Sequence, residues 1–272
     1  MKVAALLPFL GIALLVVAPA SGATVVDQFF GDPGTPLTNW DGDESAFTYQ
    51  EGSLTHPQLS SAGNSARLDA SIGSGNNTRW TAGYTGAIPG GVSAGENDVY
   101  MTFLISADSV DDFSDASRAG VQITAYRTIW VGIGRDGDGL FIGGAEGSDT
   151  PNYSEAYTPG ETVLVAMHIT NLDFGGWDTP DYAFAFNPDL SEEPTWQYFS
   201  VGGNASGGVD PSGLALFTRM ATVAGGWNDD KYAAANVDEF RMGTTWEAVV
   251  PEPATLALLG IGGLGMLIRR RR

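Results

Sequence analysis

Cysteine is absent from the 272 residues of the chain. That excludes disulfide stapling, thiolate catalysis and cysteine-held zinc together. Histidine occurs only as His56 and His168, and neither has metal-ligand spacing to another histidine. A Ser-His-Asp or three-His centre therefore has little to be built from. Positive charge is scarce as well: 13 Lys and Arg stand against 32 Asp and Glu. Without the first 23 residues and the tail from Pro251, eight basic residues face 31 acidic ones, a net charge of −23. Such a surface repels nucleic acid and anionic lipid, and it favours cations or neutral partners. Long apolar runs are missing except at the two ends.

At the first end, Met1-Lys2 leads into an apolar run from Val3 to Val17 and then into Ala18-Pro19-Ala20-Ser21-Gly22-Ala23. A charged start, a short apolar stretch and small residues at alternating positions are what signal peptidase reads. The expected cut follows Ala23 or, as second choice, Ala20. At the other end, Pro251-Glu252-Pro253 precedes an apolar run to Ile268 and then Arg269 to Arg272. Ala254 to Ile268 as a helix measures about 22 Å, short of the roughly 30 Å hydrocarbon core. The arginines hold the end on the cytoplasmic side, and the two prolines keep the motif extended, a shape that suits an enzyme cleft.

This ordered trio resembles the PEP-CTERM sorting signal of Gram-negative bacterial surface proteins. The resemblance implies export, transient or permanent membrane insertion through residues 254–268, and processing by an exosortase at Pro251, Glu252 and Pro253. The expected organisation is a signal peptide over 1–23, one domain over 24–249, and the sorting signal over 250–272 with a C-terminal hydrophobic helix.

Between the ends the hydrophobic period is two. Val99, Met101, Phe103 and Ile105 alternate with Tyr100, Thr102, Leu104 and Ser106, the pattern of a strand with both faces partly covered. Similar runs cover 25–30, 120–126, 128–133, 139–142, 162–170, 182–186, 196–201, 213–220 and 237–242. Gly, Pro, Asn and Asp fill most of the gaps, and no fixed-period repeat stands out. The fold expected is all-β, a two-sheet antiparallel β-sandwich. Gly132-Ile133-Gly134-Arg135-Asp136-Gly137 fits a dinucleotide-binding pattern in letters only. A second strand follows it instead of a helix, so it reads as one arm of a hairpin turning at Asp136-Gly137-Asp138-Gly139.

Three stretches, Thr162 to Ile169, Phe186-Asn187-Pro188-Asp189 with Glu193-Pro194, and Val237 to Trp246, resemble the laminin-G/concanavalin A-like jelly rolls that precede PEP-CTERM tails. In the last of them regular alternation puts Asp238, Phe240 and Met242 on one face, and Glu239 and Arg241 on the other, as a structural ion pair or as hydrogen-bond partners of a neighbouring loop.

The E-x-D-x-x-E strand pattern of some concanavalin A-like glycosidases is absent. The function expected is therefore a non-catalytic glycan-binding module at the cell surface. An adhesive envelope or biofilm component without a ligand site is the alternative, and a glycoside hydrolase or lyase comes a distant third. Extracellular polysaccharide is the candidate partner. Of the tryptophans, Trp177 and Trp227 lie in Gly/Asp loops and are the candidates for stacking on sugar rings. Asp136, Asp138, Asp229 and Asp230 sit in glycine-rich loops that offer calcium its hard oxygen ligands. Replacing Pro251, Glu252 and Pro253 by alanine in the native host is expected to leave a larger, mislocalised protein, read by immunoblot of cell fractions; unchanged size and delivery would overturn the exosortase assignment.

Overall fold

A computed structural model describes residues 24–42, 46–59, 61, 63–69, 79–84, 98–115, 117–124, 128–137, 139–146, 151–170, 181–200, 214–219 and 232–250. They form two antiparallel sheets packed face to face. The strands are β1 (Thr24–Asp27), β2 (Trp40–Gly42), β3 (Phe47–Gln50), β4 (Ser65–Asp69), β5 (Arg79–Tyr84), β6 (Asp98–Ser106), β7 (Arg118–Thr124), β8 (Thr128–Asp136), β9 (Gly139–Glu146), β10 (Tyr153–Tyr157), β11 (Thr162–Thr170), β12 (Asp181–Phe186), β13 (Tyr198–Ser200), β14 (Leu214–Arg219) and β15 (Ala234–Gly243). A single turn of helix, α1 (Trp246–Val249), follows. One sheet runs β13-β12-β11-β6-β15-β4-β3, with β1 also paired to β15; the other runs β10-β9-β8-β7-β14-β5-β2.

The alternation in β6 builds the core. Val99, Met101, Phe103 and Ile105 meet Val163, Val165, Met167 and Ile169 of β11 on the inner face, against Val121, Ile123, Val131 and Ile133 of the facing sheet. Full burial of side chains of this size contributes about 1.5–3 kcal/mol each. The β8–β9 hairpin closes as its sequence requires: Asp136 pairs with Gly139, and Gly137 takes φ +58° at the turn, a conformation that glycine adopts without steric cost.

Strands β2, β3, β4, β5 and β10 escape the period-two reading. β2 has three residues, and β10 reads Tyr-Ser-Glu-Ala-Tyr with a largely exposed middle; neither carries an apolar signal. β1 stops at Asp27, three residues earlier than expected.

β15 corrects one expectation. It pairs with β6 on one side; on the other, Ala234–Val237 pair with β4 and Phe240–Gly243 with β1. At the changeover the register shifts between Asp238 and Arg241, and Glu239 takes φ +50°. This is a β-bulge with one extra residue. Val237, Phe240 and Met242 all enter the core, while Asp238 turns away and accepts hydrogen bonds from Ser53 Oγ (2.6 Å) and Leu54 N (2.8 Å). Asp238 thus does not share a face with Phe240 and Met242. The ion pair of Glu239 with Arg241 is present, at 3.1 Å.

Burial raises the Asp238 pKa from 3.8 to about 6, against the hydrogen bonds from Ser53, Glu239 and Leu54 that favour the carboxylate. Between those two pH values the folded chain holds a proton that the unfolded chain releases. The contribution of Asp238 to stability is therefore full below pH 3.8 and falls as pH rises through about 6, by on the order of 2–3 kcal/mol. Carboxyl-carbon NMR is expected to show Asp238 titrating near pH 6; a midpoint near 4 would refute the desolvated site.

Candidate functional site

At the end of β1 the chain leaves the sheet through a strained turn. Phe29 takes φ +52°, a region that costs a bulky residue on the order of 1–3 kcal/mol. The Asp27 carboxylate holds it there: Oδ1 accepts from Phe29 N (2.9 Å), and Oδ2 accepts from Trp40 Nε1 (3.0 Å) and Asn39 Nδ2 (3.2 Å). The Phe29 ring stacks on Trp40 at 6.3 Å, and Trp40 meets Phe240 edge-on at 5.7 Å. Two consecutive phenylalanines are thereby separated, Phe29 at 1% exposure and Phe30 at 66%.

Phe30 stands over a cavity of about 290 Å³ whose other walls are Asp27, Gln28, Asn39 and Tyr49. Its ring runs along Gly63, where an added Cβ would come within 2.9 Å of it. Tyr49 hydrogen-bonds Thr38 through its hydroxyl (2.8 Å), and its ring fills the space a Cβ on Gly31 would need. Gln28 Nε2 donates to Glu239 Oε1 at 2.9 Å, which ties the cavity to the bulge of β15. The recess joins one open aromatic face to a carboxylate and two side-chain amides. It offers a cation little, because the Asp27 oxygens already face three N–H groups, whereas about one lone-pair site remains for a hydroxyl donor.

A second cluster lies on the outer face of the eight-stranded sheet. Tyr100 stacks on His168 at 4.0 Å, Tyr198 Oη lies 2.7 Å from His168 Nδ1, and Trp196 Nε1 and Tyr100 Oη donate to Glu193 at 2.7 and 3.2 Å. Trp246 of α1 packs edge-on against Tyr100 and Trp196, and Thr102 Oγ1 donates to the Val249 carbonyl at 2.8 Å. The cluster docks the segment that leads into residues 251–272. Burial lowers the His168 pKa despite Asp98 at 3.8 Å, so the ring is neutral at neutral pH and serves as packing.

Of the residues that the sequence offers as ligands, Asp136 is exposed at its hairpin. Trp177, Trp227, Asp138, Asp229, Asp230 and Pro251, Glu252 and Pro253 lie outside the described residues. Among the described residues no group of three or more His, Asp or Glu side chains is placed to hold a metal. In the acidic stretch from Asp108 to Asp115, Asp112 Oδ2 accepts from Ser109 N in a local turn, and Asp115 Oδ1 accepts from Gly137 N of the β8–β9 hairpin, both at 2.9 Å. Among the described residues no helix is long and apolar enough to cross a membrane. Asp27, Asn39 and Phe30 are the site residues that sequence reasoning missed. The turn signal Gly31-Asp32-Pro33-Gly34 marks where the strand ends, but nothing local marks Phe30 as outward.

Residues 249–272 match the PEP-CTERM protein-sorting motif. The chain therefore carries the C-terminal signal of exported proteins processed by an exosortase. No curated protein matches the chain. Among solved structures it is similar to a GH43 glycoside hydrolase with endo-xylanase and exo-arabinofuranosidase activity (13% identity, 82% of this chain and 41% of that one, TM-score 0.47). It is also similar to an alginate lyase in complex with an alginate trisaccharide (11% identity, 83% and 100%, 0.49) and to a GH131 beta-glucanase catalytic domain from Podospora anserina (12% identity, 81% and 89%, 0.47). The chain spans about 41% of the first of these, and no residue role is carried over from any of them.

Replacing Asp27 by Ala leaves the Phe29 amide and the Trp40 indole N–H without their acceptor, and it is expected to cost about 1–3 kcal/mol. Phe30→Ala touches only an exposed ring and is expected to stay within about 0.5 kcal/mol of the parent chain. Urea denaturation of both variants measures the contrast.

Proposed function

We propose that this exported, exosortase-sorted chain is a non-catalytic carbohydrate-binding protein of the cell surface, and that the recess beneath Phe30 takes one neutral sugar unit of an extracellular polysaccharide. The observation that carries the reading is the 66% exposure of Phe30 at the mouth of a polar cavity of about 290 Å³. Binding recesses for small molecules start near 300 Å³ and combine an apolar wall with a few convergent polar groups; a single pyranose suits the lower limit. The apolar face of the sugar would lie on the Phe30 ring. Its hydroxyls would meet the Asp27 carboxylate and the amides of Gln28 and Asn39.

Charge supports a neutral ligand here. Asp27 lines the cavity, Glu239 behind it is paired with Arg241, and among the described residues no cation lines it. An acidic sugar would meet the Asp27 carboxylate with no described cation in the wall to offset the repulsion. Binding also fits the wall better than catalysis does, because Asp27 is committed to three N–H donors and is poorly placed to move a proton.

A panel of neutral oligosaccharides tested against the full chain is expected to yield at least one ligand, and Phe30→Ala is expected to weaken it by on the order of tenfold, about 1.4 kcal/mol. The panel is read by calorimetry, with incubated ligands checked by chromatography. Binding unchanged by Phe30→Ala removes the recess from the reading; no binding at all favours an adhesive component without a ligand site; shortened oligosaccharides would establish catalysis.

A further inference from the structure

The outer face of the eight-stranded sheet carries a second exposed ring. Tyr198, Ala183, His168 and Tyr100 stand in register across β13, β12, β11 and β6, and opposed residues of antiparallel strands share a face. Ala183 leaves room between its two larger neighbours, and Tyr198 reaches across it to bring its hydroxyl 2.7 Å from His168 Nδ1. The tyrosine is thereby fixed at its tip while 43% of it stays exposed. Trp196, half-buried, flanks the His168 ring at 5.4 Å.

The next row is acidic. Two residues along the same strands, and so on the same face, Asp181, Thr170 and Asp98 are in register across β12, β11 and β6. The Asp98 side chain is 45% exposed. Glu193, exposed in the segment between β12 and β13, accepts from Trp196 and Tyr100 beside them. Burial raises the Tyr198 pKa, and Glu193, Asp98 and Asp181 raise it further, so three carboxylates act on one hydroxyl. Among the described residues no lysine or arginine pairs with Asp98 or Glu193. The ring of His168 is aimed into this row. Its Nε2 is buried, without a hydrogen-bond partner among the described residues, and points at Asp98 Oδ2 from 3.8 Å, beyond hydrogen-bond reach. With the Tyr198 hydroxyl donating to Nδ1, Nε2 carries the hydrogen, and a hydroxyl entering past Asp98 would accept from the ring and donate to the carboxylate.

An exposed aromatic face beside unpaired carboxylates suits a ligand that is at once flat and cationic. A bare metal ion is not that ligand, because among the described residues no three carboxylate or imidazole groups converge to hold one. An ammonium group borne on a sugar is: the ring of tyrosine attracts the cation and stacks on the apolar face of the pyranose, while the sugar hydroxyls meet Thr170 and the His168–Asp98 gap. Asp98 and Asp181 stand two strands apart, about 9.6 Å, and amines on alternate units of a β-1,4-linked glucosamine chain, which face one side, recur at a comparable interval. We infer that this platform binds a cationic amino sugar, an oligosaccharide of unacetylated glucosamine units, with one pyranose on Tyr198 and its ammonium group between Asp98 and Glu193. The site shares no residue with the Phe30 recess, and it takes a charged ligand where the recess takes a neutral one. The net charge of −19 draws any cation toward the chain, so selectivity rests on the ring.

Calorimetry on the full chain, in mildly acidic buffer that keeps the amines protonated, tests this with a β-1,4-linked glucosamine hexamer, its fully N-acetylated neutral form, and hexalysine. The glucosamine hexamer is expected to bind with an affinity that falls as salt rises, and hexalysine, of at least equal charge but without a sugar ring, about tenfold more weakly. Tyr198→Ala is expected to weaken the glucosamine hexamer about tenfold, and Asp98→Asn and Glu193→Gln about fivefold each. Tyr198→Phe, which keeps the ring, Asp111→Asn, the same charge change beyond the far end of β6, and Phe30→Ala are expected to change it less than twofold. Whatever affinity the N-acetylated hexamer shows is expected to be unmoved by Tyr198→Ala and Asp98→Asn. Failure of the glucosamine hexamer to bind, salt-independent binding, or an equal affinity for hexalysine overturns the inference on the unmodified chain, without any variant having to fold. So does an undiminished affinity in both Tyr198→Ala and Asp98→Asn with circular dichroism unchanged, a loss in Tyr198→Phe as large as in Tyr198→Ala, or an equal loss of the N-acetylated hexamer in Tyr198→Ala.

Discussion

One extra residue in β15 organises the end of the sandwich where the recess lies. The bulge at Asp238-Glu239 lets both Val237 and Phe240 reach the core. Phe240 then supports Trp40 from the side, Trp40 donates to Asp27, and Asp27 holds the Phe29 backbone in its strained turn. The outward position of Phe30 is the last link. The same bulge directs Glu239 toward Gln28 and Arg241 and Asp238 toward the loop at Ser53 and Leu54. A regular strand would place a carboxylate in the core and leave Trp40 without its partner.

Average charge and local charge tell different stories in this chain. A net charge of −19 governs long-range attraction and repulsion, yet it says nothing about where the few cations stand. Several described arginines have local partners: Arg67 lies near Asp69 and Asp108, Arg118 lies over the Trp130 ring, Arg135 donates to the Phe113 carbonyl, and Arg241 pairs with Glu239. Positions 79, 219 and 118, all arginine, come into register only because β5, β14 and β7, distant in sequence, pair with one another, so no reading of composition or period could align them.

What the sequence made legible follows the same division. Long strands with apolar alternation, such as Val99–Ser106 and Thr162–Thr170, are readable because burial on one face writes a period into the chain. The sandwich, the Gly137 hairpin and the Glu239–Arg241 pair were legible for the same local reasons. Short strands such as Trp40–Gly42 were not, since three residues carry no period and their stability comes from neighbours. The bulge was invisible, because the letters around Asp238 alternate regularly. The recess was invisible too: its walls come from residues 27–30, 39 and 49, and a positive φ at Phe29 is imposed by tertiary contacts against the residue's own preference. Tryptophans in Gly/Asp loops drew attention through their neighbours in sequence, whereas the most exposed large hydrophobic side chain among the described residues is a phenylalanine next to a strand.

The docking of α1 has a mechanical consequence. Val250 N donates to the Trp246 carbonyl, and Trp246 and Val249 are buried against Tyr100 and Ala166. A pull on the chain beyond residue 250 is thus met first by the aromatic cluster, which must peel away before load reaches β15. That strand is bonded on both sides, by β6 along one edge and by β4 and β1 along the other. Force along its axis is shared by many hydrogen bonds in shear instead of opening them one at a time, so the C-terminal attachment point of this domain is a strand built to resist tearing.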